Sequence, residues 1–351
     1  MFIAGLGTAA PSTVYTQRQG WEALTQSPQY PELSGRSKAI MKKVLLGDSG
    51  IETRALALSD LRHAFEISPD VLHRRFAITA PKLAAQAAAN AMAQAGRSSS
   101  EIDGLLISTC TGYLCPGLTS YVSELLGLNS GTFGLDLVGQ GCGAAIPNLT
   151  TGAALIKSSK CRCVLSICVE VSSAAFYLDN DPGVLISACL FGDGAAAAVL
   201  SAEPAQHRRI EWLESLTRLN PNDRDLLRME QKNGMLRNVL DKSVPLLVVE
   251  QSRKVLADIL TKMSISKCEV DGWIMHSGGR DVLAALRAGL ELTEDDLRWS
   301  TAVLREFGNM SSPSVLFVLE KALRMGAPGG LWYLSAFGAG IACHGAMLRV
   351  T

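Results

Sequence analysis

The sequence predicts an α/β fold whose sheets are covered by helices on both faces. Its strand-like runs, such as CRCVLSICVEV at 161–171, are predominantly apolar rather than apolar only at alternate positions. Strands that are buried on both faces show this pattern. The runs alternate along the chain with helix-like segments, as expected for an α/β architecture. With 351 residues, 48% of them hydrophobic, the chain has ample apolar material for a large core.

Strand and helix signals alternate through the first 205 residues. Alanine-rich residues 80–96 predict a helix that ends at Gly96, since glycine favours the left-handed conformation found at helix C-termini. The other predicted helices are 120–128 and 142–159, and the predicted strands are 1–7, 102–110, 132–139, 161–171 and 194–201.

The charge density rises after residue 205, and the alternation then resumes. The predicted helices are 248–263, 281–290 and 311–323, with a strand over 271–278 and two closing strands within 331–350. The closing segment approaches the length of a membrane span. It contains His344 and several glycines, however, which favours two core strands joined by a turn.

Composition points to a cytoplasmic protein. The 33 basic and 33 acidic side chains balance, so nothing suggests a nucleic acid or a membrane as partner. The nine cysteines are irregularly spaced and often lie in apolar runs, which is typical of reduced thiols rather than of a disulfide framework. The opening residues MFIAGLGTAAPS lack the basic region of a signal peptide.

The two halves of the chain resemble each other. Residues 139–149 (GQGCGAAIPNL) and 306–316 (EFGNMSSPSVL) each place a polar residue beside glycine, just before a helix with small residues in its first turns. This predicts a duplicated unit with halves 1–205 and 206–351. Packed about a pseudo-twofold axis, the halves would bring both helix starts together and place Cys142 and Asn309 in one cavity.

Cys142 is a candidate nucleophile. Glycines on both sides would let the backbone turn sharply and let a substrate carbonyl approach. A helix that starts here would direct its positive end at the sulfur and favour the thiolate. A buried cysteine in a tight turn is the alternative.

Two further polar residues lie close to a glycine, one at the end of a predicted strand and one at the start of a predicted helix. His276 ends a predicted strand, where ligands usually lie in α/β sheets, and the following Gly278 suggests close approach by a substrate. A core histidine is the alternative, and His344 is the competitor since His63, His73 and His207 lie in charged stretches. Asn309 opens a helix, where an ordinary N-cap is the alternative.

Four segments together resemble the type III polyketide synthases, the chalcone-synthase-like enzymes. They are GQGCGAA (139–145), LFGDGAAAAVL (190–200), HSGGRDVL (276–283) and FGNMSSPSVLFVLE (307–320). Their order matches, and the resemblance extends from 5–11 to 337–348. STCTGYLCPGL (108–118) and VEVSSAAFYLD (169–179) are similar to the bacterial branch that includes dihydroxyphenylacetyl-CoA synthase.

The resemblance implies a thiolase-type fold, with a duplicated five-layered αβαβα core, and a homodimer. It implies that Cys142 carries the acyl chain and that His276 and Asn309 complete a catalytic triad. Phe191 would separate the coenzyme A tunnel from the inner cavity, and Cys115 would reach into the partner's cavity. The implied reaction is iterative decarboxylative condensation of malonyl-CoA onto an acyl-CoA starter, followed by cyclisation. Coenzyme A thioesters are the substrates, and no metal or tightly bound cofactor is implied.

Some positions depart from the plant members of the family. Residues 234–245 lack a second gatekeeping phenylalanine, and GAG at 338–340 replaces Gly-Pro-Gly, which leaves Gly338 at the substrate site. The wall threonines are replaced by Ser172 and Ala175, and a wall glycine by Ser187. Lys42 and Lys43 are candidates for binding coenzyme A phosphates, with a solvated helix face as the alternative. The residues expected to shape the cavity are Cys110, Cys115, Ser187 and Ser311.

Three other functions compete with this one. A ketoacyl synthase III-like enzyme would share the triad but condense once, with malonate bound to a carrier protein. GLGTAA at 5–10 matches a nicotinamide-binding pattern, although Pro11 follows where the helix should run. Cys161 and Cys163 have the spacing of half a zinc site without a second ligand pair.

Overall fold

Helices and strands alternate along the chain in the computed structural model, which describes residues 1–204 and 208–351. The predicted boundary between residues 205 and 206, and His207, lie outside the described residues. In the described ranges the helices are α1 (Gln17–Thr25), α2 (Gly35–Leu46), α3 (Pro69–Ala95), α4 (Leu118–Leu126), α5 (Ala145–Lys157), α6 (Pro182–Leu190), α7 (Val244–Met263), α8 (Arg280–Gly289), α9 (Arg298–Phe307) and α10 (Ser314–Arg324). The strands are β1 (Phe2–Ala9), β2 (Val14–Thr16), β3 (Thr53–Ala55), β4 (Gly104–Ser108), β5 (Phe133–Leu137), β6 (Cys163–Val171), β7 (Asp193–Ser201), β8 (Ile210–Arg218), β9 (Leu227–Lys232), β10 (Met235–Leu240), β11 (Val270–Met275), β12 (Gly330–Gly338) and β13 (Ala342–Val350).

The main sheet has the strand order β11-β12-β13-β8-β1-β7-β6-β4-β5. Within the first half, β5, β4 and β6 are parallel, and β7 and β1 follow antiparallel. Within the second half, β11 and β12 are parallel, and β13 and β8 follow antiparallel. Both halves therefore place parallel strands at the sheet edge and two antiparallel pairings next to them, with two parallel pairings in the first half and one in the second.

Helices α5 and α10 form the middle layer. Helix α5 packs on β4, β6 and β7 of the first half and on β8, β12 and β13 of the second, while α10 packs on β1, β7, β11 and β12. Helix α3 covers the outer face of the first half, and α7 covers the outer face of the second. The α/β prediction and the expected duplicated five-layered architecture are thus confirmed.

The glycines of GLGTAA lie inside β1 and serve helix packing. A Cβ on Gly5 would lie 2.3 Å from the carbonyl oxygen of Ala91, and one on Gly7 would lie 2.3 Å from the Ala91 nitrogen. The glycines therefore let α3 approach the central strand closely. Because dinucleotide binding needs a turn where this chain has a paired strand, the nicotinamide interpretation of residues 5–10 is wrong.

The closing segment forms the two expected strands, β12 and β13, joined near Ala339–Ile341. Across the described ranges, none of the helices is long and apolar enough to cross a membrane. The charge-rich region after residue 207 contains β8 and the β9–β10 hairpin, neither of which was predicted. The helix expected over 80–96 starts earlier, at Pro69, and ends as predicted with Gly96 at a φ of +63°.

Candidate active site

Cys142 lies in a 3₁₀ turn, Gly141–Gly143, between β5 and α5. Gly141 has a φ of +55°, and a Cβ there would lie 2.9 Å from the backbone nitrogen of Ala339. A Cβ on Gly143 would lie 2.7 Å from the ring of His344. Both glycines are therefore required, one by its left-handed conformation and both by the close approach of the second half of the chain.

The start of the second central helix meets Cys142 directly. The hydroxyl of Ser311 donates a hydrogen bond to Cys142 Sγ at 3.2 Å, and its oxygen lies 3.5 Å from Cys110 Sγ. The backbone N–H of Ser311 donates to Asn309 Oδ1 at 2.8 Å, and Asn309 Nδ2 donates to the Gly278 carbonyl at 3.0 Å. Hydrogen bonds thus connect Cys142 with Ser311, Ser311 with Asn309, and Asn309 with Gly278.

Asn309 is not an N-cap, so that alternative is wrong. Helix α10 begins at Ser314, five residues further on, with Pro313 at the cap position. The backbone of Asn309 instead pairs with the segment around Phe191: its N–H donates to the Leu190 carbonyl, and its carbonyl accepts from the Gly192 N–H, both at 2.9 Å. This pairing fixes the amide side chain and Phe191 relative to each other.

His276 follows β11 and is buried, with its backbone N–H donating to the Ser335 carbonyl at 2.8 Å. Its ring contacts Phe337 edge-on, with the ring centroids 5.0 Å apart. Neither ring nitrogen has a hydrogen-bond partner among the described residues. Burial lowers the pKa of His276 to about 3, so the imidazole is neutral. A buried ring with two unpaired nitrogens is unusual in a core and is typical of a site that a substrate completes.

Glu170 is a buried carboxylate that the sequence reasoning missed. It accepts hydrogen bonds from Ser312 Oγ (2.6 Å), Thr111 Oγ1 (2.9 Å), the Cys110 N–H (3.0 Å) and Cys110 Sγ (3.3 Å). Burial raises its pKa, and these hydrogen bonds act against that rise. A glutamate inside an otherwise apolar strand was the signal that could have identified it.

Burial governs the electrostatics of both cavity thiols. It raises the pKa of Cys142 to about 12, the Ser311 hydrogen bond acts in the opposite direction, and the nearby charge of Glu170 adds to the rise. Burial also raises the pKa of Cys110 well above its usual value. The sequence predicted a helix start at Cys142 itself, but α5 begins only at Ala145, three residues further on.

Cys142 opens onto a cavity with about 1150 Å³ of empty space, including its opening to solvent. Of the residues predicted to shape it, Cys110, Ser187, Phe191 and Ser311 line the cavity, as do Ser172 and Ala175. Ser187 donates to the Gly183 carbonyl and accepts from Asn238 Nδ2, both at 2.7 Å.

The other predicted positions, including His276 and Asn309, lie outside the described lining of this cavity, so the prediction that Asn309 shares the cavity of Cys142 is not borne out by its lining. Gly278 contributes its carbonyl to Asn309, and Gly338 lets β12 approach the Cys142 turn, since a Cβ there would lie 2.2 Å from the Gln140 carbonyl oxygen. Cys115 is exposed. Lys42 and Lys43 are exposed on α2, while their neighbour Met41 lines the cavity.

Cys161 and Cys163 are buried at the start of β6, and the Cys161 thiol donates to the Asp103 carbonyl at 3.6 Å. Within residues 1–204 and 208–351, no group of three or more His, Cys, Asp or Glu side chains is arranged to hold a metal ion.

Both halves of the chain match family models. Residues 1–204 match the N-terminal domain of chalcone and stilbene synthases, and residues 216–351 match the C-terminal domain. A 3,5-dihydroxyphenylacetyl-CoA synthase of Streptomyces toyocaensis is 30% identical over 99% of this chain and 89% of its own length. PKS-I of the brown alga Ectocarpus siliculosus has a TM-score of 0.91 at 26% identity, with 99% and 98% of the two chains covered. The C-terminal type III polyketide synthase domain of Steely1 from Dictyostelium has a TM-score of 0.87 at 25% identity, again over 99% and 98%.

Proposed function

We propose, from the premise that this chain belongs to the chalcone and stilbene synthase family, that it adds malonyl units to an acyl-CoA starter held on Cys142. Type III polyketide synthases of this family are condensing enzymes, and repeated decarboxylative condensation is typical of them. The observation that carries the assignment of the site is the contact between Ser311 and Cys142, which joins the starts of the two central helices.

Loading begins with the neutral thiol and the neutral imidazole. Cys142 passes its proton to His276, which creates an ion pair without adding net charge to a buried site. The thiolate attacks the carbonyl carbon of the acyl-CoA, and the bond between that carbon and the coenzyme A sulfur breaks. Coenzyme A leaves as a thiolate and takes the proton from His276. The acyl group is then a thioester on Cys142.

Extension uses His276 and Asn309 as hydrogen-bond donors. Malonyl-CoA loses carbon dioxide, and the electron pair remains on the thioester as an enolate. The neutral imidazole has one N–H to donate, and the Asn309 amide has a second N–H beside the one that binds the Gly278 carbonyl. A preorganised donor of this kind contributes on the order of 3 kcal/mol. The enolate carbon attacks the Cys142 thioester, the carbon–sulfur bond breaks, and the elongated chain leaves on coenzyme A and can be loaded again.

Phe191 favours the loss of carbon dioxide by keeping water from the malonyl carboxylate. Its ring lines the cavity, and its backbone neighbours pair with Asn309, which places an apolar surface beside the proposed enolate donors. Coenzyme A would lie along the outer face of α2, where Lys42 and Lys43 are exposed to bind its phosphates. We also assign residues 1–205 and 206–351 as the two duplicated halves, acting without a tightly bound cofactor.

The working unit is a homodimer in the cytoplasm. An exposed apolar surface follows β5 and the loop before α4: Tyr113 is 71% exposed, Val138 is 64% exposed, and Leu135 is also exposed. We assign these exposed apolar side chains to the dimer interface, since apolar patches on a surface mark interfaces. Cys115 lies in the same loop, in a position to enter a partner's cavity.

Purified protein incubated with malonyl-CoA and a panel of acyl-CoA starters tests this function. We expect products that contain two or more malonyl-derived units by mass spectrometry, and none from Cys142→Ala. Cys161→Ala is the matched control, because this thiol is buried and lies outside the cavity. Product from malonate on a carrier protein, with one condensation and no use of free malonyl-CoA, would instead establish the ketoacyl synthase III-like function.

A further inference from the structure

Arg54 is a buried cation beside the active-site cavity that the proposed chemistry does not use. It lies on the short strand β3, is 8% exposed and contributes to the lining of the cavity. Strand β3 pairs with β2 in a small sheet apart from the main one. Taking a guanidinium out of water is costly unless it is hydrogen-bonded, so the groups that Arg54 binds indicate its role.

The guanidinium binds the segment that carries Phe191. Its Nη1 donates to the carbonyl oxygens of Ala188 and Phe191, both at 2.9 Å. Helix α6 ends at Leu190, so the Ala188 carbonyl is one of the last four of the helix, which have no partner within it. The helix dipole favours a cation at this end. One nitrogen of Arg54 therefore joins the last turn of α6 to the residue that follows it and fixes how the chain leaves the helix.

The same arginine reaches the segment that carries Asn309. A Cβ on Gly308 would lie 3.0 Å from Cγ and 3.2 Å from Cδ of Arg54, so the aliphatic part of the side chain lies directly against this glycine. The neighbouring Thr53 donates through Oγ1 to the carbonyl of Glu306 at 2.7 Å. Strand β3 is thus bonded to the end of α9 just before Asn309, and Arg54 contacts both the segment of Phe191 and the segment of Asn309.

The charge of Arg54 is balanced by a carboxylate that has its own hydrogen bonds. Burial lowers the pKa of the guanidinium, and the charge of the nearby Asp193 acts against this fall. Asp193 accepts from the Ala57 N–H at 2.7 Å, the Ser173 N–H at 2.8 Å and the Ser173 hydroxyl at 2.7 Å. Loss of the guanidinium would therefore leave Asp193 held in place and would remove the support from the two carbonyls at the end of α6.

We infer, on the basis of the function proposed above, that Arg54 is a positioning residue for the decarboxylation of malonyl-CoA. It holds Phe191 and Asn309 in the relative position that this step requires. Leu190 and Gly192 pair with the backbone of Asn309, so a shift of the chain at the end of α6 moves the Asn309 amide together with the Phe191 ring.

Decarboxylation and loading depend on Arg54 to different extents. In loading, Cys142 passes its proton to His276, and the hydrogen bonds of Arg54 reach neither residue. In decarboxylation, the bond from C2 to the malonyl carboxylate breaks, carbon dioxide leaves, and the electron pair forms the enolate that Asn309 and His276 bind. Without a starter, the enolate carbon takes a proton from water and acetyl-CoA is released. Arg54 therefore acts on the step that forms the enolate and not on the step that forms the thioester.

The test compares Arg54→Met, Arg54→Lys and Arg75→Met. Methionine keeps an apolar side chain but donates no hydrogen bond, whereas lysine keeps the charge and can still donate. Arg75 is the matched control, because it is partly buried near Asp193 but its Nη1 binds the Ser173 carbonyl, at 2.5 Å, instead of the end of α6. Acylation of Cys142 by acyl-CoA is read by intact mass. Decarboxylation is read as the carbon dioxide and acetyl-CoA formed from malonyl-CoA alone.

We expect Arg54→Met to lower kcat for decarboxylation about a hundredfold, the loss that follows when one donor to an oxyanion is displaced, while KM for malonyl-CoA and the acylation rate stay within about threefold of wild type. Arg54→Lys should recover about tenfold of that loss, and Arg75→Met should leave the ratio of the two rates unchanged. If Arg54→Met does not fold, Arg54→Lys decides, because its decarboxylation should still fall about tenfold with acylation retained.

A parallel fall of acylation and decarboxylation in both Arg54 variants would mean a purely structural role and overturn the inference, as would unchanged decarboxylation. Neither result would affect the proposed function. Wild-type protein that neither acylates Cys142 nor decarboxylates malonyl-CoA would overturn both. Wild-type protein that performs both reactions but condenses only once would overturn the iterative function alone, and the comparison of the Arg54 variants would still decide the inference.

Discussion

Replacement of His276 by glutamine should convert Cys142 from a reactive into an unreactive thiol at neutral pH. In the structure the thiol is half-buried, and the hydrogen bond it accepts comes from the neutral Ser311 hydroxyl. The imidazole of His276 is buried and neutral, with both nitrogens unpaired in the described part of the chain. Glutamine retains a polar side chain of similar size but cannot take the thiol proton, so the variant removes the base and keeps most of the packing.

The expected size of the effect follows from burial. With a pKa raised to about 12, Cys142 alone is thiolate in on the order of one molecule in 10⁵ at pH 7. In the proposed mechanism, proton transfer to His276 avoids this penalty, because the pair carries no net charge. Without the histidine, the alkylation rate should follow the hydroxide concentration and rise about tenfold per pH unit from pH 7 to pH 10. At pH 7 we expect at least a hundredfold loss relative to the wild type.

The assay is alkylation by iodoacetamide, with the rate at Cys142 read by peptide mass spectrometry. Exposed Cys268 in the same molecule reports any change in the reagent, and buried Cys343 reports global unfolding. His344→Gln is the matched control, because His344 is also buried and its ring lies against Gly143, but its Nδ1 is paired with Thr217 at 2.9 Å. Equal alkylation of His276→Gln and wild type at pH 7 would refute the assignment of the base, and a loss in His344→Gln alone would transfer the role to His344.

Three further outcomes test other parts of the structure. Gly338→Ala should destabilise the fold by about 1–3 kcal/mol in guanidinium denaturation and abolish acylation of Cys142, because the added Cβ would overlap two backbone atoms of the turn that carries Cys142. Gly35→Ala is the control: Gly35 has open space around it, so this variant should have neither effect. Burial lowers the pKa of His276 to about 3 and of His344 to about 4, so the stability they contribute is present above pH 6.5 and is lost as the pH falls. Each of these two histidines should lower the free energy of unfolding by up to about 1.4 kcal/mol for every pH unit below 6.5. His344→Gln removes one of them, so the stability of this variant should fall less steeply when denaturation is measured at pH 7, 6 and 5. Val138→Asp should yield monomers in light scattering if β5 forms the dimer interface, whereas Leu219→Asp, equally exposed elsewhere, should not.

The sequence predicted those strands and helices in which the pattern of apolar residues matches the positions that are buried in the structure. Strands β6 and β7 are buried at every position, and both were expected from uninterrupted apolar runs. The β9–β10 hairpin was missed because its residues are only partly buried and its charges pair across strands, as in Arg237–Glu230 at 2.6 Å. Its turn, Asn233–Gly234, has two positive φ angles and is a hairpin signal that the sequence did contain.

The site was predictable where glycine marked it, but not where side chains from distant segments meet. Glycines beside Cys142, His276 and Asn309 pointed to all three positions. Nothing local relates Glu170 on β6 to Ser312 before α10, although their side chains lie 2.6 Å apart. That contact depends on how the two halves dock, and local sequence patterns do not encode docking.

The middle layer, helices α5 and α10, determines how the two halves of the chain dock. The two half-sheets meet at one end, through the Phe2–Glu211 pair and the hydrogen bond from the Trp212 N–H to the Met1 carbonyl. This junction is far too small to fix the distance between Cys142 and Ser311, so the packing of α5 on β8, β12 and β13 and of α10 on β1 and β7 must do so. The residues at those helix starts are small and fully buried, as Ala145, Ser312 and Ser314 illustrate. A bulky side chain at any of them would separate the sulfur from the Ser311 hydroxyl before it touched a catalytic group, which explains why small residues follow the glycine-marked turn in both halves.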